Sequence, residues 1–270
     1  MTLRIHSLYI YPIKSCQGIG LERAELVDTG LRWDRHWMLV DDEGQFLSQR
    51  RVPAMARIAT ELTDDALIAR SDGRQIEIPL HSPDVDRMPV QIWNDLLPGS
   101  IVSEAIDRWF SEVLETCCHL VYLPESVPRQ VDRDYAAEGR TVGFADSFPL
   151  LVVSLENLLP LNARLEQPVG IDRFRPNIVI EGGQPHEEDD WAAIRIGDLV
   201  IDLPKPCSRC VIPSIDQRTA EQDSSILKAL AAYRRGEDGK IYFGQNGLHR
   251  SNGWIEVGQA VEPVKKPVPD

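Results

Sequence analysis

The sequence predicts a mainly β protein with a few helices, an α+β chain whose first half forms an antiparallel barrel or sandwich. Three observations predict it. Short runs rich in Ile, Leu, Val and aromatic residues recur down the chain, bounded by Gly, Pro or Asp. Asp42-Glu43-Gly44 and Ser71-Asp72-Gly73 sit between such runs as hairpin turns. Helical spacing is confined to a few segments, so strand follows strand through turns rather than through the crossover helices of a βαβ array.

Taken in order, Leu3 to Tyr11 alternates in part and is ended by Pro12: a strand. The polar loop Pro12-Ile13-Lys14-Ser15-Cys16-Gln17-Gly18 leads to a second strand over Glu22 to Val27. Gly30 to His36 turns the chain into the strand Trp37-Met38-Leu39-Val40. Ser103 to Thr116 breaks the rhythm, because Ile106, Trp109, Phe110, Val113 and Leu114 fall at helical spacing and Ser103 is placed to cap them. A strand over Cys118 to Leu123 follows, then a polar segment, Pro124 to Gly139, that reads as exposed loop. Leu150 to Val153 is a buried strand, Ser154 opens a helix ending near Leu165, and Phe174 to Ile180 is a strand. Trp191 to Leu203 is a hairpin turning at Gly197-Asp198, Ser224 to Tyr233 a helix, and Gly253 to Val261 a last strand pair turning at Gly258. The change of element type near Glu125 divides the chain into an N-terminal β domain over 1–124 and a second domain over 125–264. A disordered tail over 265–270 completes it.

At 270 residues, 43% hydrophobic and 26% charged, the chain can bury one large core or two smaller ones. A formal charge of −13 and a pI near 4.9 exclude a general nucleic-acid or anionic-membrane surface, which needs a basic field. The first residues run straight into a strand and no apolar run is long enough to span a bilayer, so the cytoplasm is the expected compartment. Five scattered cysteines, an odd number, predict free thiols rather than a disulfide framework. No G-x-G-x-x-G or P-loop pattern is present, which removes the simplest dinucleotide and nucleotide-triphosphate readings.

The chemistry concentrates in Lys205-Pro206-Cys207-Ser208-Arg209-Cys210-Val211-Ile212-Pro213. Its prolines stiffen it as a loop, and Arg209 stands between two thiols, surroundings that favour a reactive or metal-binding thiolate. From these residues alone a zinc site, a redox pair and two packed thiols all remain open. Zinc needs two further ligands, and Cys117, Cys118 and His119 alternate faces along one strand and cannot all converge. Cations recur at strand ends and turns: Lys14-Ser15, Asp34-Arg35, Gln49-Arg50-Arg51 and Phe174-Arg175-Pro176-Asn177. In so acidic a chain they suit a single anion pocket, although each alone reads as a solvated surface group. Glu187-Glu188-Asp189-Asp190 reads as a solvated acidic turn.

Tyr11 to Gly18, Gly30 to Trp37, Phe174 to Ile180, Pro206-Cys207-Ser208-Arg209-Cys210 and Phe243-Gly244-Gln245 carry a family likeness, in order, over nearly the whole chain. The sequence resembles the MOSC family, in particular its two-part members with a MOSC N-terminal barrel followed by a MOSC domain. These include the mitochondrial amidoxime-reducing component and bacterial reductases of N-hydroxylated bases. The resemblance implies an antiparallel β-barrel-like N-terminal domain packed on a MOSC β-barrel domain, and a bound molybdenum cofactor (Mo-molybdopterin). Cys210 would be the protein's ligand to the metal, a soft donor suited to it. Cys207 would stand behind it, and Ser208 and Arg209 would line the cofactor. Lys14, Ser15, Arg35 and Arg175 would hold the pterin or its phosphate, with Asn177 close by. Ser147 and the Phe148 backbone, within Asp146-Ser147-Phe148-Pro149, and Asn246 complete the implied contacts.

The implied reaction is a two-electron reduction of the N–O bond of an N-hydroxylated base, amidoxime or hydroxylamine, releasing water and the amine. No cysteine follows Cys210 to build the ferredoxin-like domain of many bacterial relatives. Electrons are therefore expected from a separate donor protein of ferredoxin, flavoprotein or cytochrome type. His36 or Asp216 is the candidate proton donor. Two rival expectations stand: a cofactor carrier or sulfur-transfer module without turnover of its own, and a zinc-stabilised binding module.

Overall fold

Four sheets organise the chain in the computed structural model, which describes residues 2–84 and 86–267. The largest is eight strands in the order Glu262–Lys265, Trp191–Ile196, Leu199–Ser208, Tyr242–His249, Leu150–Ser154, Ile178–Glu181, Arg4–Ile10 and Ile19–Leu21. Its pairs are antiparallel except Leu150–Ser154 beside Ile178–Glu181, where Val152 opposes Ile178 and Ser154 opposes Ile180. A parallel pair needs a crossover. The 3-10 turn Leu155–Asn157, the short α-helix Leu158–Asn162 and the 3-10 turn Ile171–Phe174 supply it.

A four-stranded sheet runs Trp37–Val40, His119–Tyr122, Asp95–Ile101, Arg87–Ile92, and a three-stranded one runs Ala59–Leu62, Ala66–Ser71, Arg74–Pro79. The latter turns at Asp72 and Gly73, φ 48° and 78°, the left-handed pair that a two-residue hairpin requires. The remaining sheet joins Gly253–Glu256 to Arg23–Val27 and Gly30–Leu31. The two halves of the chain are thus laced together, because Arg4–Ile10 pairs with Ile178–Glu181 and Gly253–Glu256 returns to Arg23–Val27. Lys14, Ser15 and Arg35 lie on the stretch between Arg4–Ile10 of the eight-stranded sheet and Trp37–Val40 of the four-stranded one.

One core gathers Leu8, Ile10, Trp191, Ile194 and Ile255; another gathers Trp37, Leu39, Met55, Phe110 and Leu120. In a third, Phe174 stacks on Phe243 with ring centroids 3.7 Å apart, beside Leu161, Val179 and Ile226. Each such buried side chain contributes roughly 1.5–3 kcal/mol. The helix Glu104–Leu114 forms as its spacing predicts, with Ser103 Oγ accepting Ile106 N–H at 3.3 Å. Ser225–Arg234 completes the three α-helices among the described residues. None of the helices among those residues is long and apolar enough to cross a membrane.

Several expectations change. Pro124 to Gly139 is not exposed throughout: Arg129, Val131 and Ala136 are buried, because Arg129 ties the segment inward through backbone carbonyls. The helix from Ser154 breaks into a 3-10 turn and a single short α-helix. Phe174 to Ile180 is a strand only from Ile178, since Arg175 takes φ 53° and Pro176 has no N–H for a ladder. The cysteine segment is less a loop than the end of a strand, Leu199–Ser208. Gly253 to Val261 is not a hairpin: Glu262–Lys265 pairs with Trp191–Ile196 instead. Lys265 and Lys266, placed in a disordered tail, are therefore held, with Lys265 opposite Trp191 and Lys266 N–H donating to Asp190 O at 2.8 Å; 268–270 lie outside the described residues. The acidic run is not simply solvated either. Glu188 is fully buried, accepts from Ser154 Oγ at 2.6 Å and from Asn157, and burial pushes its carboxyl up.

Candidate functional site

A cavity of about 640 Å³ opens between the eight-stranded sheet and the hairpin Arg87–Ile92/Asp95–Ile101, within the size range of cofactor pockets. Its lining includes Lys14, Ser15, Arg35, Ser147, Phe148, Arg175, Asn177, Cys207, Ser208, Arg209, Cys210 and Asn246. Every residue singled out for a cofactor from the sequence therefore reaches one space. The candidate proton donors do not. His36 is packed against Trp33, Trp37 and Tyr122, ring centroids 5.0, 4.5 and 6.0 Å away, and burial, with His81 adding, pushes it down to about 4. Asp216 pairs with Arg173 at 2.6 Å and accepts the N–H groups of Arg218 and Thr219.

One wall is cationic and built from backbone held in unusual conformations. Ser15, Arg35 and Arg175 adopt φ of 71°, 45° and 53°, a left-handed region that costs a non-glycine residue about 1 kcal/mol and persists only where the surroundings impose it. The surroundings do impose it. Gln49 Nε2 donates to Ser15 O at 2.7 Å, and Gln49 and Gln217 bond each other reciprocally at 2.9 and 3.0 Å. Arg35 Nη1 donates to Asp34 Oδ2 at 2.6 Å and to Asn177 Oδ1 at 3.2 Å, while its Nη2 donates to Arg175 O at 3.2 Å. The two guanidiniums face Tyr11, 4.3 and 4.1 Å from its ring centroid. Asn177, fully buried, also donates to Tyr9 O and accepts Leu151 N–H, both at 3.1 Å.

This wall holds more positive charge than its partners neutralise. Arg175 Nη1 donates to Gln217 Oε1 at 3.0 Å, but its Nη2 is buried without a partner. Burial, with Arg35 adding, pushes Arg175 down to about 10 against the opposing pull of Tyr11 and Asp34. Lys14 donates to Phe144 O at 2.9 Å and to Asp146 Oδ1 at 2.5 Å. Burial still lowers the Lys14 amine, Asp146 opposing and Arg129 and Arg35 reinforcing. A pocket that depresses its own cations is one that an anion stabilises.

The opposite edge carries sulfur. Leu199–Ser208 delivers it, the register slipping between Pro206 and Ser208 because Pro206 cannot donate to the ladder. Cys207 Sγ accepts from Arg209 Nη1 at 3.1 Å and packs against the Phe174–Phe243 core. Cys210 Sγ accepts instead from Arg50 Nη2 at 3.2 Å. Burial works against the Arg50 charge, but Cys210 and Asp146 prevail and keep it raised. The thiols are therefore held by different arginines and are not equivalent. Asn246 lies at this edge with its Nδ2 given to Lys205 O and Pro206 O, both at 3.3 Å.

Sequence reasoning missed the node that joins the two walls. Asp146 accepts from Lys14, from Arg50 at 3.4 Å and from Trp93 Nε1 at 3.2 Å. Desolvation works against its charge, yet Lys14 and Arg50 hold it well below the usual carboxylate range. Arg129 shapes this stretch by donating to Gly143 O at 2.8 Å, Ala145 O at 2.5 Å and Asp146 O at 3.1 Å. Nothing local marks Arg50 apart from Arg51, which pairs with Asp41 in solvent, or marks Arg129 within a polar stretch.

Fold and cavity together define a two-part β protein with a cation-walled pocket ending on a cysteine sulfur. The chain belongs to the MOSC family: a MOSC N-terminal beta barrel domain matches residues 2–117 and a MOSC domain matches residues 139–262. Mitochondrial amidoxime-reducing component 1 of Mus musculus is 31% identical over 95% of this chain and 81% of its own. Molybdenum cofactor sulfurase of Solanum lycopersicum is 32% identical over 95% of this chain, which spans 35% of that protein's length. The YUAD protein of Bacillus subtilis aligns over 99% of this chain and 98% of its own at 9% identity, with a TM-score of 0.48.

Proposed function

We propose that this protein binds a molybdenum cofactor in the cavity and reduces N-hydroxylated compounds such as amidoximes, hydroxylamines and N-hydroxylated bases. One observation carries the reading: a single cavity has the buried, unpartnered Nη2 of Arg175 on one wall and the Cys210 sulfur on another. The cavity's own residues fit the group. Lys14, Arg35 and Arg175 would hold its anionic end, with the Ser15 and Ser147 hydroxyls and Asn177 beside them. Cys210 would be the protein's metal ligand, its sulfur oriented by Arg50, while Cys207 supports that edge and Ser208 and Arg209 line it. Among the described residues no three or more His, Cys, Asp or Glu converge as a metal site. These residues would not supply the four protein ligands of a structural zinc site at Cys210, which disfavours the zinc module.

When bound, the cofactor would supply the two-electron redox chemistry that N–O reduction needs, with electrons from a separate donor protein. The chain's residues would do the rest. The cation wall anchors and orients, and the low-lying Asp146 stays ionised to hold Lys14 and Arg50 in place rather than giving up a proton. Likeness to mitochondrial amidoxime-reducing component 1 over four-fifths of its length supports turnover; likeness to molybdenum cofactor sulfurases supports a second reading, in which Cys210 carries sulfur or cofactor without turnover. Metal analysis of freshly purified protein, a fluorescence assay for oxidised pterin, and benzyl viologen-driven reduction of benzamidoxime and 6-hydroxylaminopurine test both. Molybdenum with turnover is the expected result. Pterin without turnover moves the assignment to the carrier, and zinc in place of molybdenum removes both readings.

A further inference from the structure

We propose that Trp93 is a stacking platform that selects planar aromatic substrates at the cavity mouth; the inference rests on the reading that N–O compounds are reduced beside Cys210. Trp93 stands at the turn of the hairpin Arg87–Ile92/Asp95–Ile101, where Ile92 and Asp95 are the last pair. Its φ is 55°, a left-handed conformation that suits Asn or Gly and that a bulky aromatic residue rarely adopts. A large apolar side chain on a hairpin turn normally finds a core or lies loose. This indole does neither. It is 45% exposed, yet it is fixed by Nε1 donating to Asp146 Oδ1 at 3.2 Å, by the Arg50 guanidinium 4.9 Å from its centroid, and by the Phe46 ring at 5.2 Å. Its backbone carbonyl accepts Gln91 Nε2 at 3.1 Å.

The position links the indole to the reactive end of the cavity. Arg50, which packs on Trp93, also donates to Cys210 Sγ at 3.2 Å, so the indole is one side chain removed from the sulfur. Two other aromatic rings line the cavity, but Phe148 is 6% exposed and Phe174 is 0% exposed. They have no free face to offer, while Asn94, Asp95, Gln130 and Asp132 at the same cavity are polar. A held but half-exposed indole is the form of a recognition surface: it is ordered before a guest arrives, and the ring surface that Arg50 and Phe46 leave open rewards a flat ring. An alicyclic ring of similar size buries comparable area without the face-to-face match.

The test separates flatness from bulk. Benzamide and cyclohexanecarboxamide, neutral and unreactive, are titrated by ligand-detected NMR into the protein as purified, for wild type, Trp93→Leu and Trp93→Phe. Wild type is expected to prefer benzamide by about fivefold, the size of one aromatic pairing. Trp93→Leu should lose that preference and Trp93→Phe keep most of it. A preference that survives in Trp93→Leu, or is absent from wild type, overturns the platform. The KM ratio for benzamidoxime against cyclohexanecarboxamidoxime then separates the two readings. Reduction whose ring preference is unchanged in Trp93→Leu keeps the reductase and removes the platform. A Trp93-dependent benzamide preference in a protein that reduces neither amidoxime keeps the platform and removes the reductase.

Discussion

Arg35 and Arg175 are held at left-handed φ, flank one tyrosine ring and are tied to Asp34, Asn177 and Gln217. Across the same cavity, Cys207 and Cys210 lie at and beyond a strand end, half-buried, each accepting one hydrogen bond from an arginine. The first wall is over-determined, so it loses little freedom when a ligand arrives and can spend its positive charge on binding. The second is lightly held, and its sulfur stays accessible to a metal or a reactant. On the proposed reading, capture and reaction would be divided between a rigid wall and an adaptable edge, with Asp146, Arg50 and Lys14 as the joint.

The division is broken most sharply at the sulfur edge. On the proposed reading, Cys210→Ala should abolish reductase turnover and metal retention, whereas Cys207→Ala should lower turnover several-fold; benzyl viologen assays with metal analysis read both. Equal losses in the two variants would make the thiols equivalent, against their separate arginine partners. On the rigid wall, Arg175→Met is expected to weaken cofactor retention about tenfold or more, the worth of a charge-assisted hydrogen bond, read by released-pterin fluorescence. The same variant stripped of cofactor should melt no lower than wild type, since the Arg175 charge is held down by burial and by Arg35. A large drop in its melting temperature would show the wall to be a stability device first.

Behind that wall, pH offers a smaller probe. Burial pushes His36 down to about 4 from an unfolded value of 6.5, so the fold favours the neutral ring. Its contribution is complete above pH 6.5 and is lost as the pH falls toward 4, on the order of 3 kcal/mol across that window. Urea denaturation of His36→Phe should show a flatter decline there, with His186, also pushed down to about 4 by burial, supplying part of what remains. An unchanged slope would assign the acid sensitivity to other groups. The smallest effect tests backbone strain away from the site. Glu115 closes the helix Glu104–Leu114 at φ 50°, and Glu115→Gly should stabilise by about 1 kcal/mol without altering turnover. A thermal melt that does not rise would show that the αL position carries no strain to relieve.

Much of this was legible in the residues. The strand Trp37–Val40, the Asp72-Gly73 turn, the capped helix and the cysteine pair all follow from short-range patterns. The twelve cofactor candidates, which the family resemblance supplied, line one cavity. Much of what failed depended on partners far along the chain. Arg129 and Glu188 look solvated when read beside their neighbours, yet one closes on the carbonyls around Asp146 and the other on Ser154 and Asn157. The last strand finds Trp191–Ile196 rather than the strand before it.

By itself the sequence determined most of the element types, several of the turns and the supply of cations and thiols. Side-chain period, turn chemistry and capping act over a few residues and leave their mark in the order of the chain. Tertiary structure alone decided that Arg50 and not Arg51 meets Cys210, that Asp146 joins the two walls, and that Trp93 stands half-exposed at the mouth. Arg50 and Asp146 lie 96 positions apart and Arg50 and Cys210 lie 160 apart. Contacts at that separation depend on how the sheets close, and no local pattern records that.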